Sequence, residues 1–211
     1  MPALPRLLLV TDRPACARHG RGVIATVARA LADLSVDGAV AVVARQPGAT
    51  EAEAADLCAG LRPICRAAGA CLFAHGHPAL VGPLGLDGCH LPERMNARLA
   101  RLRMPRGAIL GASRHPPASS ADLGVDYITW SPIFSPSSKA DSRPPLGVDT
   151  LADHDVPVFA LGGVTADNAA ACVDAGAVGV AVAGFVCGAA DPRQALLALL
   201  DALDVPARRR R

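Results

Sequence analysis

Aromatic side chains are scarce in this chain: of 211 residues only six are aromatic, Phe73, Phe134, Phe159, Phe185, Tyr127 and Trp130. Modules that bind nucleic acid by base stacking need aromatic platforms, so the scarcity argues against them and leaves a core of Ala, Val and Leu. Paired cysteines are lacking too. The seven cysteines (Cys16, Cys58, Cys65, Cys71, Cys89, Cys172 and Cys187) form no C-x-x-C pair and are odd in number, which fits neither a disulfide framework nor a zinc-finger set. No apolar run reaches the roughly 18 residues of a membrane span, and no signal peptide is recognisable. A reducing cytosol is the expected compartment, with the thiols serving as small core residues. A strong excess of one charge is also missing. The formal +2 arises from residues 208–211; without those four arginines the body carries 17 basic against 19 acidic groups, a net −2. Neither nucleic acid nor membrane is an expected partner, and 206–211 reads as a basic, disordered, solvated tail.

What the chain does have is apolar bulk: 51% hydrophobic residues against 19% charged, enough to build a single core over one domain, 1–205. Short segments rich in Val, Ile, Leu and Ala recur at 6–11, 39–45, 71–75, 86–90, 108–112, 126–131, 157–161 and 178–183. They are nearly continuous rather than alternating, as parallel strands buried on both faces should be. Helical patterns lie between them. Thr50 and Glu53 have the capping-box spacing ahead of a helix to about 68, Thr165 heads one to about Asp174, and Asp191-Pro192 opens one to about Leu203. Stretches 21–35 and 93–103 also read as helices. Strand then helix, about eight times over, predicts an α/β fold of (β/α)8 (TIM) barrel type, with a doubly wound open sheet as the alternative.

In such a barrel the residues just after each strand share one rim, where the chemistry is kept. Gly162 and Gly163 after the seventh strand, with Ala183 and Gly184 after the eighth, place glycine where free backbone N–H groups can cup a phosphate. The loop after the sixth strand, Ser131-Pro132-Ile133-Phe134-Ser135-Pro136-Ser137-Ser138-Lys139, offers hydroxyls and one ammonium to an anion. Imidazoles gather on neighbouring positions: His75 and His77 after the third strand, His90 at the end of the fourth, His115 after the fifth. Three readings of them stay open. They are a general acid–base group, a metal site built on the His-x-His spacing, or polar lining with His90 structural.

At these residues the chain resembles the thiamin phosphate synthase and thiazole tautomerase (TenI-like) superfamily of barrels, over nearly its whole length. The stretches that carry the resemblance are Leu8-Leu9-Val10-Thr11-Asp12, Asp87-Gly88-Cys89-His90-Leu91 and Leu110-Gly111-Ala112-Ser113-Arg114-His115. Further along they are Asp126-Tyr127 with Pro132-Ile133-Phe134 and Lys139, Ala160-Leu161-Gly162-Gly163-Val164 with Asn168, and 175–182. The resemblance implies that Arg45, Ser113, Ser138 and Lys139 face a pyrophosphate, and that Gly162, Gly163, Ala183 and Gly184 hold a thiazole phosphate. Lys139 is the catalytic residue expected on this basis, and His75 and His90 are the catalytic residues expected on the general acid–base reading of the imidazoles. The implied ligand is a small phosphorylated heterocycle, and a homodimer is an open expectation.

The departures from the pattern bear on mechanism. The Arg-Glu-Lys after strand 2 is here Arg45-Gln46-Pro47, the Asn-Asp after strand 3 is His75-Gly76, and the acidic residue after strand 4 falls at about Met95. The synthase carries Mg²⁺ on the last two acids, and Mg²⁺ needs one or two carboxylates besides substrate phosphates. Losing metal assistance worth several kcal/mol slows such a reaction by on the order of a thousandfold. The tautomerase histidine falls at Pro132, which moves no protons. Three functions follow from the sequence. The first is a barrel that binds a phosphorylated thiazole or pyrimidine with divergent catalytic groups, no cofactor and no protein-bound metal. The second is a non-catalytic ligand-binding or regulatory protein. The third is a surviving synthase, with Glu93 helping to hold Mg²⁺.

Overall fold

The computed structural model describes residues 3–116, 124–135 and 143–209. Eight parallel strands close into a barrel: β1 (Leu7–Val10), β2 (Val40–Ala44), β3 (Cys71–His75), β4 (Gly88–Leu91), β5 (Ile109–Arg114), β6 (Tyr127–Trp130), β7 (Val158–Leu161) and β8 (Gly179–Val182). Each falls on a predicted segment. Leu7 of β1 registers with Val40 of β2 on one side and Val180 of β8 on the other, so the sheet has no open edge and the doubly wound alternative is set aside.

Alternation along the strands divides the core into two layers. Leu8, Val10, Ala41, Val43 and Ile109 point along the axis with Phe73, Tyr127 and Phe159, while Leu7, Leu9, Val40 and Val42 face the helices. The buried outer layer is aliphatic apart from Trp130, as the composition implied. The inner layer instead holds three of the six aromatics, with Tyr127 edge-on to Phe159 at 5.0 Å and 6.4 Å from Phe73. Glycine makes room for this plug: a Cβ on Gly111, the register neighbour of Tyr127, would overlap its ring.

The helices begin where the sequence signals them. In α3 (Glu51–Ala68) the Thr50 N–H donates to Glu53 Oε2 at 2.8 Å and the Glu53 N–H to Thr50 Oγ1 at 3.3 Å, and Gly69 at φ +66° ends the helix. Asp191 caps α7 (Pro192–Ala202) through the Arg193 N–H at 3.0 Å. Two helices are shorter than expected: α2 is Val23–Ala30 and α4 is Ala97–Arg101, with Asn96 accepting the Leu99 N–H. After α2 the chain reverses at Asp33 (φ +56°), and Leu34–Ser35 pairs antiparallel with Arg208–Arg209. Arg208–Arg209 of the basic end therefore form a two-stranded sheet with the segment that follows α2. Two short helices were not foreseen, α1 (Arg13–Ala17) and α6 (Gly184–Cys187), on either side of the β1–β8 seam. The remaining helix, α5 (Ala166–Asp174), follows β7.

Two aspartates from the motif stretches sit at the opposite end of the barrel from the rim. Asp87 accepts the Leu72 N–H and Asp126 the Leu110 N–H, both at 2.8 Å, each bracing the start of the preceding strand. Asp126 also takes a 2.9 Å ion pair from Arg101. All seven thiols are free; six are buried and Cys71 is half-buried. Burial pushes Cys65 and Cys89 up to about 12, so these sulfurs are packing groups rather than nucleophiles.

Candidate functional site

The rim at the C-terminal ends of the strands holds two adjoining cavities that share Leu161, Gly162 and Ala183. One, of about 270 Å³, is lined by Arg45, His75, His90, Ser113, His115, Thr129, Ser131, Pro132 and Arg143. The other, of about 290 Å³, is lined by Asp12, Arg18, Ser135, Gly163, Thr165, Gly184 and Phe185. Side chains build the first and backbone mostly builds the second.

In the histidine-lined cavity the strand ends set each group. Thr11 is fully buried; its Oγ1 donates to the Arg45 carbonyl at 2.7 Å and accepts the Arg45 N–H at 2.8 Å, which fixes the backbone from which Arg45 reaches the cavity. His75 and His90 are register partners whose rings stack at 6.0 Å. Burial, then the neighbouring Arg45 and His77, pull His75 down to about 4. Burial, then His75, Arg114 and Arg45, pull His90 to about 3. Both imidazoles are therefore neutral at pH 7. His90 has both nitrogens engaged, Nδ1 with the Tyr127 hydroxyl and Nε2 with Ser113 Oγ, each at 3.0 Å. His115 is held at one nitrogen, Nδ1 donating to the Ser131 carbonyl at 2.8 Å. His77 lines neither cavity; of the four histidines the sequence grouped, three come together. Among the described residues no group of three or more His, Cys, Asp or Glu side chains is placed to hold a metal, which removes the geometric basis for a His-x-His site.

The four predicted phosphate-cup positions divide into two kinds. Gly162 (φ +92°) and Gly163 (φ +66°) have backbone that only glycine adopts freely. A Cβ there would lie 2.7 Å from the Pro132 Cα and from the Ser135 carbonyl respectively. These glycines admit the loop after β6, which bonds back through Ile133 N–H to Leu161 O at 2.9 Å and Phe134 N–H to Gly162 O at 3.0 Å. The loop thus engages the Cα side of both glycines and the carbonyl of Gly162. Asn168 shapes the same turn, donating from Nδ2 to the Gly163 carbonyl at 3.1 Å and accepting the Thr165 N–H at 2.8 Å. Gly184 differs: nothing lies within 4 Å of its missing Cβ, so its backbone faces open cavity.

Sequence reasoning missed Arg18, Thr129 and Tyr127. Arg18 follows α1 and reaches the glycine-lined cavity across Gly188, its Nη1 3.4 Å from where a Gly188 Cβ would stand. The Asp12 cap and Pro14 are the signal that could have located it, since they open a helix right after β1. Ser138 and Lys139, expected to contact an anion, lie outside the described residues.

A closed (β/α)8 barrel with two adjoining cavities on its C-terminal rim defines the class: a TIM-barrel protein with its clefts where such barrels bind small molecules. Comparison with known proteins narrows it. The family model for thiamine monophosphate synthase matches residues 7–186, and the chain belongs to that family. It is 35% identical over 205 residues to a putative thiamine-phosphate synthase of Geobacter sulfurreducens, covering 92% of this chain and 93% of that protein. It is 33% identical over 180 residues to the thiamine-phosphate synthase of Moorella thermoacetica, covering 82% and 84%. Among solved structures, the thiamine phosphate pyrophosphorylase from Pyrococcus furiosus superposes with a TM-score of 0.76 at 25% identity, over 94% of this chain and 95% of that one.

The Mg²⁺ that the resemblance implies does not fit the described residues of the rim. The histidine-lined cavity contains two arginines and, among the described residues, no carboxylate. Asp12, in the other cavity, spends Oδ1 on capping α1 through the Ala15 N–H at 3.0 Å. Met95 packs against the apolar core. Glu93 is exposed and lines neither cavity; its backbone carbonyl takes a 3.3 Å hydrogen bond from Arg114. A hard dication needs oxygen anions, and the described lining of the histidine-lined cavity supplies arginines and the neutral His75 and His90.

Proposed function

We propose that this chain binds a phosphorylated thiazole or pyrimidine of thiamin biosynthesis across the two cavities, and that it does so without a protein-held Mg²⁺. The phosphate belongs in the glycine-lined cavity, against the open backbone at Gly184 and the Arg18 guanidinium. The ring belongs in the histidine-lined one. Arg45 and Arg143 on its wall, with Ser113, are placed for a second anionic group, and Ser138 and Lys139 complete the anion set on this reading. The observation that carries it is the pairing of a cavity whose described lining is cationic and holds no carboxylate with a neighbouring backbone cup, in a chain of the thiamine monophosphate synthase family. Fixed cations and N–H groups stabilise a developing phosphate or pyrophosphate charge without the reorganisation that water would need.

Calorimetry with thiazole phosphate and thiamin phosphate, each with EDTA and with Mg²⁺, tests the proposal. Binding that survives EDTA supports it, and no binding of either at millimolar ligand ends the thiamin connection. A second reading, a ligand carrier without turnover, is favoured by one observation. The two imidazoles that sequence reasoning put forward as catalytic, His75 and His90, are held neutral and, in His90, bonded at both nitrogens. Turnover of any thiazole or pyrimidine phosphate by the purified protein would exclude it.

A further inference from the structure

We propose that Thr129 is a specificity-determining residue: with Ser113 it presents two hydroxyl donors that select a ligand offering an uncharged, hydrogen-bond-accepting edge. The proposal rests on the reading above only in taking the histidine-lined cavity as a ligand site.

Three observations carry it. Thr129 lies on β6 two residues after Tyr127, lines the histidine-lined cavity and registers directly with Ser113 on β5. It is 1% exposed, yet its Oγ1 has no hydrogen-bond partner among the described residues. A buried hydroxyl left unpaired costs stability, and valine would fill the same space without that cost. A threonine at such a position is therefore explained by something that enters the cavity.

The second observation is a short relay that decides the polarity of Ser113. Tyr127 is fully buried, burial keeps its phenol protonated, and His90 Nδ1 is its one hydrogen-bond partner among the described residues. The phenol hydrogen is satisfied only by donation to Nδ1. A neutral imidazole that accepts at Nδ1 carries its own hydrogen at Nε2, so His90 donates to Ser113 Oγ over 3.0 Å. Ser113 has then received one hydrogen bond and still has its own hydrogen to give. Thr129 and Ser113, side by side on adjacent strands, thus both offer O–H.

The third observation is the charge around them. Arg45 and Arg143 line the same cavity, with no carboxylate among its described lining residues. A ring carrying a positive charge or presenting only N–H groups meets repulsion and two unmatched donors. A neutral ring nitrogen or carbonyl oxygen meets two hydrogens. The selected class is a neutral heteroaromatic whose edge carries lone pairs.

The test compares Thr129→Val with Thr129→Ser. The unliganded thermal midpoint of each is measured, and then calorimetric affinity for hydroxymethylpyrimidine phosphate, thiazole phosphate and inorganic phosphate. The expected result is a Thr129→Val midpoint raised by roughly 3 °C. Its affinity for at least one heterocyclic phosphate should fall about tenfold, with inorganic phosphate unaffected and Thr129→Ser close to the parent on both counts. A Thr129→Val midpoint equal to or below the parent's overturns the proposal, because the hydroxyl would then have a structural partner. So does a heterocycle affinity unchanged by that substitution. If the parent chain binds neither heterocyclic phosphate while Thr129→Val is stabilised, the thiamin reading falls and the open hydroxyl stands as a site for another acceptor-edged ligand.

Discussion

The two rim cavities adjoin, yet they are made in opposite ways. The glycine-lined one is backbone: its shape depends on Gly162 and Gly163 holding positive φ against the loop after β6, and Arg18 is the cation in its described lining. The histidine-lined one is side chains on strand ends, tied into a relay that runs from Tyr127 through His90 to Ser113. A cup made of backbone binds any phosphate and is broken only by changing the fold. A pocket made of side chains carries the discrimination and can be retuned one residue at a time.

The comparison is broken most severely at Gly162. Gly162→Ala puts a methyl 2.7 Å from the Pro132 Cα at φ +92°; we expect a loss of more than about 3 kcal/mol in urea unfolding, with both cavities damaged together. Gly184→Ala, facing open space, should cost less than about 1 kcal/mol. Equal effects from the two would mean that the glycines are not of two kinds.

Acid should sharpen the contrast next. The folded-state values of His75 and His90, about 4 and about 3, lie below the 6.5 of a free imidazole. The unfolded chain therefore takes up protons first as pH falls. The stability that neutral imidazole contributes is complete above pH 6.5 and is lost as pH falls from there through about 4 for His75 and about 3 for His90, on the order of a few kcal/mol. Urea midpoints from pH 7.5 to 4.5 should drop in the parent and flatten in His75→Asn. A parent curve that is level over this range contradicts the burial of the pair.

Smaller effects separate the cavities by function. Arg18→Ala should weaken inorganic phosphate binding about tenfold or more, with a reduced salt dependence and an unchanged melting temperature. Tyr127→Phe removes the phenol that orients His90 and should cost about 1 kcal/mol of stability while leaving phosphate affinity within twofold. If Tyr127→Phe instead abolished phosphate binding, the relay would serve both cavities and the division between them would fail.

The barrel was legible because doubly buried parallel strands are written as continuous apolar runs, and because Thr50, Glu53, Thr165 and Asp191 carry capping signals in single residues. The same continuity hid which side chains face inward: nothing in Ile128-Thr129-Trp130 says that Thr129 points to the axis and Trp130 to the helices until the register with Ser113 and Arg114 is known. Arg18 was hidden because α1 has only five residues, too few to show a period. The pairing of Leu34–Ser35 with Arg208–Arg209 joins residues far apart in sequence through backbone alone, which side-chain patterns do not report. The sequence shows glycines after β7 and β8, but composition cannot distinguish a glycine that admits a neighbouring loop, as Gly162 does, from one whose Cα faces open space, as Gly184 does.

The central claim is that one ligand spans both cavities with its phosphate on the backbone cup. A crystal structure of the protein grown with thiazole phosphate and EDTA tests this most directly. The account predicts the phosphate within hydrogen-bonding reach of the Gly184 N–H and Arg18, the attached ring beside Ser113 and Thr129, and no metal. A phosphate bound elsewhere on the rim, or a ring turned away from the histidine-lined cavity, would contradict it.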